Sequence, residues 1–235
     1  MEVASLTKMM TLAVVIKFME KYNLNPYTIY VKISSVAAST TGTLAFLKRN
    51  DEVRLIDLLH GLMLPSGNDA AIALSEAIGI LLYLEESEKF YKLKNIMKIP
   101  TTVKKKGEEC LTHEEKIQKF LKEMNKLSCE IGLEKTNFAS VHGLINCKNI
   151  STAKDMAVLS CFIMNISLVR DIVKTKLYTA YIRTKDKLTK EYTLREELWK
   201  NTNKLLDKGY EGIKTGVTDA AGPCLASSFK KEKGG

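Results

Sequence analysis

The spacing of apolar residues predicts several helices in the first two thirds of the chain. Residues 5–21 are apolar on nearly every side, which is typical of a helix buried in a core. The break at Pro65-Ser66-Gly67-Asn68 separates two further helices, and Asp69 is the predicted cap of the second. The predicted helices span residues 5–21, 55–62, 69–84, 114–131 and 152–164.

Short alternating segments predict strands, and most of them come late in the sequence. The predicted strands cover residues 27–33, 177–184, 192–194, 212–217 and 223–229. No segment of the sequence repeats. Helices in the middle of the chain and strands towards its end predict the α+β fold class, with the two kinds of element packed in layers.

Residues 85–115 differ in composition from the rest of the chain. They are rich in Lys and Glu, contain Pro100 and Gly107, and show no sustained hydrophobic period. Such a segment offers little apolar surface to a core. We therefore predict a surface insertion here that is partly helical at most.

Composition and charge narrow the class of protein. The 235 residues are 45% hydrophobic and 27% charged, values typical of a globular chain with a buried core. Lys and Arg number 36 against 27 Asp and Glu, and the net charge of +9 permits an anionic partner. This surplus is spread along the chain, however, so it indicates a lysine-rich solvated surface and no nucleic-acid partner.

The cysteines and the apolar runs argue against a disulfide-rich, zinc-binding or membrane-spanning protein. Cysteines are odd in number and form no C-x-x-C pair, which predicts free, mostly buried thiols and neither a disulfide scaffold nor structural zinc. Charged residues interrupt the apolar runs, so we expect no transmembrane segment, and no signal peptide is visible. The five thiols are those of Cys110, Cys129, Cys147, Cys161 and Cys224.

Candidate chemistry begins at Ser5-Leu6-Thr7-Lys8, where a hydroxyl and an amine lie three residues apart at the start of the first helix. Side chains at that spacing share one helix face, so the amine can reach the hydroxyl. Serine is a weak nucleophile until a neighbouring base takes its proton. Lysine can be that base when burial lowers its pKa, and the apolar helix that follows predicts such burial.

The S-x-x-K pattern alone is a weak signal, because it occurs four times in the chain. The four copies begin at Ser5, Ser151, Ser227 and Ser228. Two companions favour the first copy. Ser66-Gly67-Asn68 is the only S-x-N and falls between two helices, and Lys214-Thr215-Gly216 is the only K-[ST]-G and falls on a predicted strand. Serine–lysine hydrolases that attack amides carry these three motifs in this order.

These motifs and the sequence around them resemble the D-alanyl-D-alanine carboxypeptidases, low-molecular-weight penicillin-binding proteins with a serine β-lactamase-like fold. The family-like segments are Ala4–Thr11, Leu64–Ala71, Thr136-Asn137-Phe138, His142-Gly143-Leu144, Ser151–Ala157, Asn201-Thr202-Asn203 and Gly212–Leu225. The resemblance implies one catalytic domain over residues 1–235, with a helical subdomain and an antiparallel sheet flanked by helices. Because only four residues precede Ser5 and the chain stops near a predicted hairpin turn, we expect the sheet to be incomplete at both chain ends.

The resemblance also implies catalytic roles. Ser5 resembles the nucleophile that attacks the carbonyl between two D-alanines and forms an acyl-enzyme, and Lys8 resembles the base that takes its proton. Ser66 would relay a proton to the leaving D-alanine. Asn68 would hold the substrate backbone and orient Lys8.

Substrate binding is implied on the strand near the end of the chain. Lys214 would keep the site positive and Thr215 would bind the terminal carboxylate, while the substrate lies along Lys214-Thr215-Gly216-Val217 as an added strand. The N–H groups of Ser5 and Val217 would form the oxyanion hole. The family uses no metal or organic cofactor. Its partners are peptidoglycan pentapeptides or other D-Ala-D-Ala peptides, with β-lactams as covalent inhibitors, and its members work outside the cytoplasm, at the cell envelope.

Two other interpretations stay open. A β-lactamase or another serine amide or ester hydrolase could share the fold, but class A β-lactamases direct a water with an E-x-x-L-N motif, for which Glu196-Glu197-Leu198-Trp199 is a poor substitute. A non-catalytic remnant or binding protein is the other, and the complete set of motifs opposes it. His142, in a family-like stretch, is predicted to be a structural residue.

Overall fold

The structure is a computed structural model that describes residues 1–87, 98–99, 110–144, 146–185, 189 and 191–229. These residues contain seven α-helices and seven strands. The helices are α1 (Thr7–Tyr22), α2 (Ser35–Ala38), α3 (Leu55–Met63), α4 (Asn68–Glu86), α5 (His113–Glu130), α6 (Ala153–Met164) and α7 (Ser167–Lys174). The strands are β1 (Tyr30–Lys32), β2 (Asp51–Arg54), β3 (Lys98–Ile99), β4 (Leu177–Lys185), β5 (Tyr192–Lys200), β6 (Ile213–Thr218) and β7 (Gly222–Ser227). Short 3-10 helices form at Ala4–Leu6 and Lys204–Lys208.

Helix α1 lies in the middle of the core. Every residue from Met9 to Ile16 is buried, and Thr11 is the one polar side chain among them. Helices α3, α4, α5 and α6 pack against it. Burial of one Leu, Val or Met side chain contributes about 1.5–3 kcal/mol, so this segment holds the start of the helix firmly in place. Lys8, one residue before the apolar run, is thereby carried into the protein interior.

Helix α4 begins one residue earlier than predicted, and the predicted cap is wrong. Gly67 is the residue that precedes the first helical turn, and the Asp69 carboxylate lies inside that turn. It accepts hydrogen bonds from the backbone N–H groups of Ala45 and Leu47 at 2.9 and 3.0 Å. Asp69 also accepts from the N–H of Ala70 in its own first turn at 2.8 Å, so from inside the helix it ties the start of α4 to a separate segment.

The strands form two sheets. The larger has the order β3-β1-β2-β4-β5, in which β1 and β3 are parallel and the other neighbours antiparallel. Strands β6 and β7 form a separate antiparallel pair, with Thr215 opposite Leu225. Strand β6 packs against the Ala4–Leu6 turn. The K-T-G motif is thereby placed beside Ser5.

The predicted helices and late strands are confirmed, with ends shifted by a few residues and with β5 longer than predicted. The early strand shrinks to β1. Strand β2 was missed because its sequence, Asp51-Glu52-Val53-Arg54, is mostly charged; Asp51 is nevertheless buried, and its carboxylate pairs with Arg195 at 2.5 Å. The short helices α2 and α7 were missed as well. Most of the predicted 85–115 insertion lies outside the described residues. Of those described, Lys98 and Ile99 form β3 with Ile99 buried, so the prediction of a surface segment that is helical at most is wrong there.

The expectation about the thiols is half right. The cysteines are free, as predicted, but they are not mostly buried: four are exposed and Cys224 is half-buried against the core. Cys129 and Cys161 lie on the solvent faces of α5 and α6, so a hydrophobic residue type alone does not fix which face of a helix it occupies. The four exposed thiols belong to Cys110, Cys129, Cys147 and Cys161.

Among the described residues, no single helix is long and apolar enough to cross a membrane. Helices α6 and α7 pass that test of length and composition only as a pair, and they are bent by 106° where they meet.

Candidate active site

The structure brings Ser5 and Lys8 together at the start of α1. Ser5 lies in the 3-10 turn that precedes the helix, and the Nζ of Lys8 is 3.0 Å from its Oγ. Two other chain segments hold the same amine. It donates hydrogen bonds of 2.8 Å to Asn68 Oδ1 and to the carbonyl oxygen of His142.

These contacts define what the Lys8 amine can do. Burial lowers the pKa of Lys8 well below its usual value, the positive charge of Lys214 lowers it further, and Asp69 acts in the opposite direction. A neutral amine has two N–H groups and one lone pair. Asn68 Oδ1 and the carbonyl of His142 can only accept hydrogen bonds, so both N–H groups are used there. The lone pair then faces the Ser5 hydroxyl, as a general base requires.

Asn68 is held in place by a segment that sequence reasoning missed. Its Nδ2 donates to the carbonyl of Thr41 at 2.7 Å, and its backbone N–H donates to the carbonyl of Thr43 at 2.8 Å. Gly42, between them, has a φ of +89°, and a Cβ there would lie 2.6 Å from Asn68 Nδ2. The T-G-T sequence was a usable signal, because glycine permits this close approach.

Ser66 has a strained backbone and a free hydroxyl. Its φ is +63°, which is uncommon for a residue other than glycine. The carbonyl of Ser66 accepts from the Thr43 hydroxyl at 2.6 Å, and Gly67 N–H donates to the carbonyl of Gly61 at 2.9 Å. The Oγ of Ser66 is buried and has no hydrogen-bond partner among the described residues. Strain and an unpaired polar group both occur at functional sites.

Strand β6 supplies another wall of the site. Lys214 is buried, its Nζ donates to the carbonyl of Thr215 at 2.8 Å, and burial lowers its pKa to about 7. A Cβ at Gly216 would lie 2.7 Å from the backbone nitrogen of Ser5, so the strand can approach Ser5 this closely only with glycine there. Val217 is 73% exposed, and its side chain points away from the core.

The loop at residues 139–144 forms another wall of the site, where the carbonyl of His142 contacts Lys8. Besides its carbonyl contact with Lys8, His142 accepts a hydrogen bond at Nδ1 from the N–H of Leu144 at 3.1 Å. Burial, with a contribution from Lys8 when that amine is protonated, lowers the pKa of His142 to about 4, so the ring is neutral at ordinary pH. These contacts fit the structural role predicted for it. Gly143 has a φ of +83° and packs directly on the carbonyl of Ala4.

The S-x-x-K copy at Ser151 does not form such a pair. The Ser151 hydroxyl lies 2.7 Å from Thr136 Oγ1, and Lys154 pairs with Glu134 on the surface at 3.0 Å. The lysines that follow Ser227 and Ser228 by three residues lie outside the described residues. Within the part of the chain that is described, no group of three or more His, Cys, Asp or Glu side chains could hold a metal ion.

Comparison with known proteins decides the family. A model of the D-alanyl-D-alanine carboxypeptidase family matches residues 1–80 and 115–234, which is most of the chain. The chain belongs to this family. Its resemblance in sequence, carried by the three motifs above, is thereby confirmed.

Curated members of the family are about 30% identical to this chain over the aligned residues. The D-alanyl-D-alanine carboxypeptidase of Streptomyces sp. K15 is 32% identical over 98% of this chain and 68% of that protein. DacF of Bacillus subtilis is 29% identical over 97% of this chain and 48% of that protein. The chain therefore spans about half the length of DacF.

Solved structures of family members have the same fold. The Streptomyces K15 DD-transpeptidase superposes with a TM-score of 0.76 at 31% identity, over 98% of this chain and 76% of that one. DacD of Francisella tularensis gives a TM-score of 0.72 at 28% identity, over 98% of this chain and 57% of that one. The predicted α+β, transpeptidase-like fold class is confirmed.

Proposed function

We propose that this protein is a serine-type D-Ala-D-Ala carboxypeptidase that removes the terminal D-alanine of peptidoglycan stem peptides through an acyl-enzyme on Ser5. The observation that carries the proposal is the buried Lys8 amine. It lies 3.0 Å from the Ser5 hydroxyl while its two other partners, Asn68 Oδ1 and the carbonyl of His142, only accept hydrogen bonds. Family membership supports the same activity.

In the acylation step, Ser5 Oγ attacks the carbonyl carbon between the two D-alanines. A C–O bond forms, and the hydroxyl proton passes to the lone pair of Lys8. The carbonyl oxygen becomes an oxyanion, which the backbone N–H groups of Ser5 and Val217 stabilise. Losing one such donor typically costs about 3–4 kcal/mol of transition-state stabilisation.

Departure of the terminal D-alanine needs a proton on its nitrogen. Ser66 relays the proton from Lys8 to that nitrogen as the C–N bond breaks, leaving an ester on Ser5 and a free amino acid. The buried Ser66 hydroxyl has no partner among the described residues, which suits a group that waits for one from the substrate. Asn68 orients Lys8 and binds the substrate backbone. Water then hydrolyses the ester and restores Ser5.

Strand β6 binds the substrate. Among the described strands it pairs with β7 alone, so its other edge can take an extended peptide as an added strand. Lys214 supplies positive charge and Thr215 donates to the terminal carboxylate, while Gly216 keeps the strand close to Ser5. β-Lactams, which carry a carboxylate and a strained amide, acylate the same serine. The side chains present complete this chemistry without a cofactor.

The wider setting follows the family. We propose a single catalytic domain over residues 1–235, with the Lys- and Glu-rich residues 85–115 as an insertion between the two matched segments. The protein acts outside the cytoplasm, at the cell envelope, where peptidoglycan pentapeptides are present. No observation on the site favours a β-lactamase or a non-catalytic role over this one.

Release of D-alanine from a peptide ending in D-Ala-D-Ala tests the activity. We expect the protein to release D-alanine from it and to leave a matched peptide ending in D-Ala-L-Ala largely intact. Ser5→Ala should abolish the release while the variant keeps the thermal unfolding midpoint of the wild type. Wild-type protein that is folded but releases no D-alanine would contradict the proposed function.

A further inference from the structure

Thr202 occupies a rigid position at the edge of the proposed substrate cleft. It follows β5 and lies between two asparagines that fix the backbone. Asn201 Nδ2 donates to the carbonyls of Val173 and Thr175 at 3.1 and 2.9 Å. Asn203 Oδ1 accepts from the N–H of Leu205 at 3.0 Å. The residue between them is therefore held in place on both sides.

Thr202 connects two walls of the site. Its backbone N–H donates to the carbonyl of Leu64 at 3.1 Å, two residues before Ser66. Its Oγ1 lies 2.7 Å from the Oγ1 of Thr215 on β6. Thr202 thus links the segment before Ser66, through its N–H group, to strand β6, through its side chain.

The number of protons available decides which of the two hydroxyls, Thr202 or Thr215, donates the hydrogen bond. Each hydroxyl carries one proton, so only one of the two can donate to the other. A substrate carboxylate only accepts hydrogen bonds, and Thr215 must spend its proton on it. Thr202 must then be the donor to Thr215. The chain from Thr202 through Thr215 to a carboxylate is charge-assisted, and each hydrogen bond polarises the next.

We propose that Thr202 is a positioning residue that keeps the Thr215 proton directed at the substrate carboxylate, and that it thereby sets the preference for a free C-terminal carboxylate. This inference rests on the proposed function. Thr202 does not touch the reacting atoms. It acts through Thr215 on the affinity for one chemical group of the substrate.

The test compares two substrates on Thr202→Val. Valine is isosteric and keeps the backbone N–H bond to Leu64, so the variant removes the hydroxyl alone. The substrates are a D-Ala-D-Ala peptide with a free carboxylate and the same peptide as a C-terminal amide. Because the carboxylate is bound in the ground state and the transition state alike, we expect KM for the free acid to rise about tenfold with kcat unchanged, the upper end of the range for the loss of one neutral hydrogen bond.

Matched variants separate positioning from general damage. Thr202→Ser restores the hydroxyl and should return KM for the free acid to within about twofold of the wild type, a tolerance small against the tenfold effect of one hydrogen bond. Thr193→Val removes an exposed hydroxyl at the far end of β5 and should leave KM for both substrates unchanged. Thr202→Ala replaces Thr202→Val if the valine variant fails to fold, as judged by thermal unfolding.

The outcomes are distinct. The inference is supported if KM rises in Thr202→Val for the free acid alone. The amide peptide must then show the same KM in both proteins, or be cleaved by neither. An unchanged KM for the free acid in folded Thr202→Val, or an equal loss on both peptides, overturns it. A wild-type protein that cleaves neither peptide contradicts the proposed function itself. The wild type is therefore assayed before any variant is made.

Discussion

At the scale of single residues, the site depends on two lysines whose charges are disfavoured by burial. Lys8 has three hydrogen-bond partners among the described residues, and Lys214 lies on the neighbouring strand. Burial lowers the pKa of both amines, and the positive charge of Lys214 lowers that of Lys8 further. Under the proposed function, a neutral Lys8 would serve as the base and a protonated Lys214 would attract the substrate carboxylate.

Lys8→Met tests the role of the base. Methionine is a straight chain of similar length that tolerates burial, so the fold should survive, as thermal unfolding can check. We expect the rate constant for acylation of Ser5 to fall by at least about a hundredfold, the usual contribution of a general base. Lys17→Met, on the same helix but partly exposed and paired with Glu130, should acylate at the wild-type rate. Equal rates for the two variants would rule Lys8 out as the base.

The pH dependence of stability tests the burial of Lys214. The folded pKa of about 7 lies below the value of about 10.4 expected for an unfolded lysine. Between these pH values the unfolded chain binds more protons, so this group makes the free energy of unfolding rise with pH. Lys214→Met should remove about 1.4 kcal/mol per pH unit from that rise.

Urea unfolding between pH 7.5 and 9.5 measures this slope. Lys8 is present in both proteins, but its pKa is lowered partly by Lys214, so the difference between wild type and variant reports Lys214 together with its effect on Lys8. Lys200→Met removes an exposed lysine of β5 as a control. Parallel pH profiles for the wild type and Lys214→Met would contradict the burial of this amine.

At the scale of elements, the site depends on backbones that approach one another closely. Gly143 and Gly216 both touch the Ala4–Leu6 turn: a Cβ on Gly143 would lie 1.9 Å from the carbonyl oxygen of Ala4, and one on Gly216 would lie 2.7 Å from Ser5 N. Contacts this short leave no room for a side chain. Ser5, the proposed nucleophile, is thus positioned by the backbone on both sides.

Gly143→Ala should damage the site more than its backbone angle alone explains. An alanine at positive φ costs roughly 1–2 kcal/mol. Gly132 has a similar φ of +79°, and a Cβ there would have no neighbouring atom within 4 Å, so Gly132→Ala carries this cost alone. We expect a larger loss in unfolding free energy for Gly143→Ala, together with acylation slower by at least about tenfold, because the carbonyl of Ala4 must move. Matching values for both variants would contradict the close approach.

Much of this arrangement could be predicted from the sequence, for physical reasons that also mark the limits. The apolar run after Lys8 predicts both a core helix and a buried amine, and both are found. The Thr41-Gly42-Thr43 segment that holds Asn68 and Ser66 from the side was missed: its glycine indicates a close approach, but nothing in the sequence identifies the partners. Its contacts, such as Thr43 Oγ1 with the Ser66 carbonyl, join residues 23 positions apart and leave no periodic pattern. Asp69 was misassigned for the same reason, since its partners are equally distant.

At the scale of the whole molecule, the site lies where separate parts of the chain meet. The start of α1, the start of α4, the loop at residues 139–144 and strand β6 each contribute one face, and the core under α1 fixes their relative positions. We therefore infer that these parts together assemble an acylating serine in the folded chain, which no single motif could form alone.

Intact-protein mass spectrometry after incubation with benzylpenicillin tests this claim most directly. The account predicts a single covalent adduct of one penicillin, mapped to Ser5 by peptide analysis, absent from Ser5→Ala and retained by Ser39→Ala at an exposed serine. No adduct on wild-type protein that unfolds cooperatively, or an adduct that persists in Ser5→Ala, would contradict it.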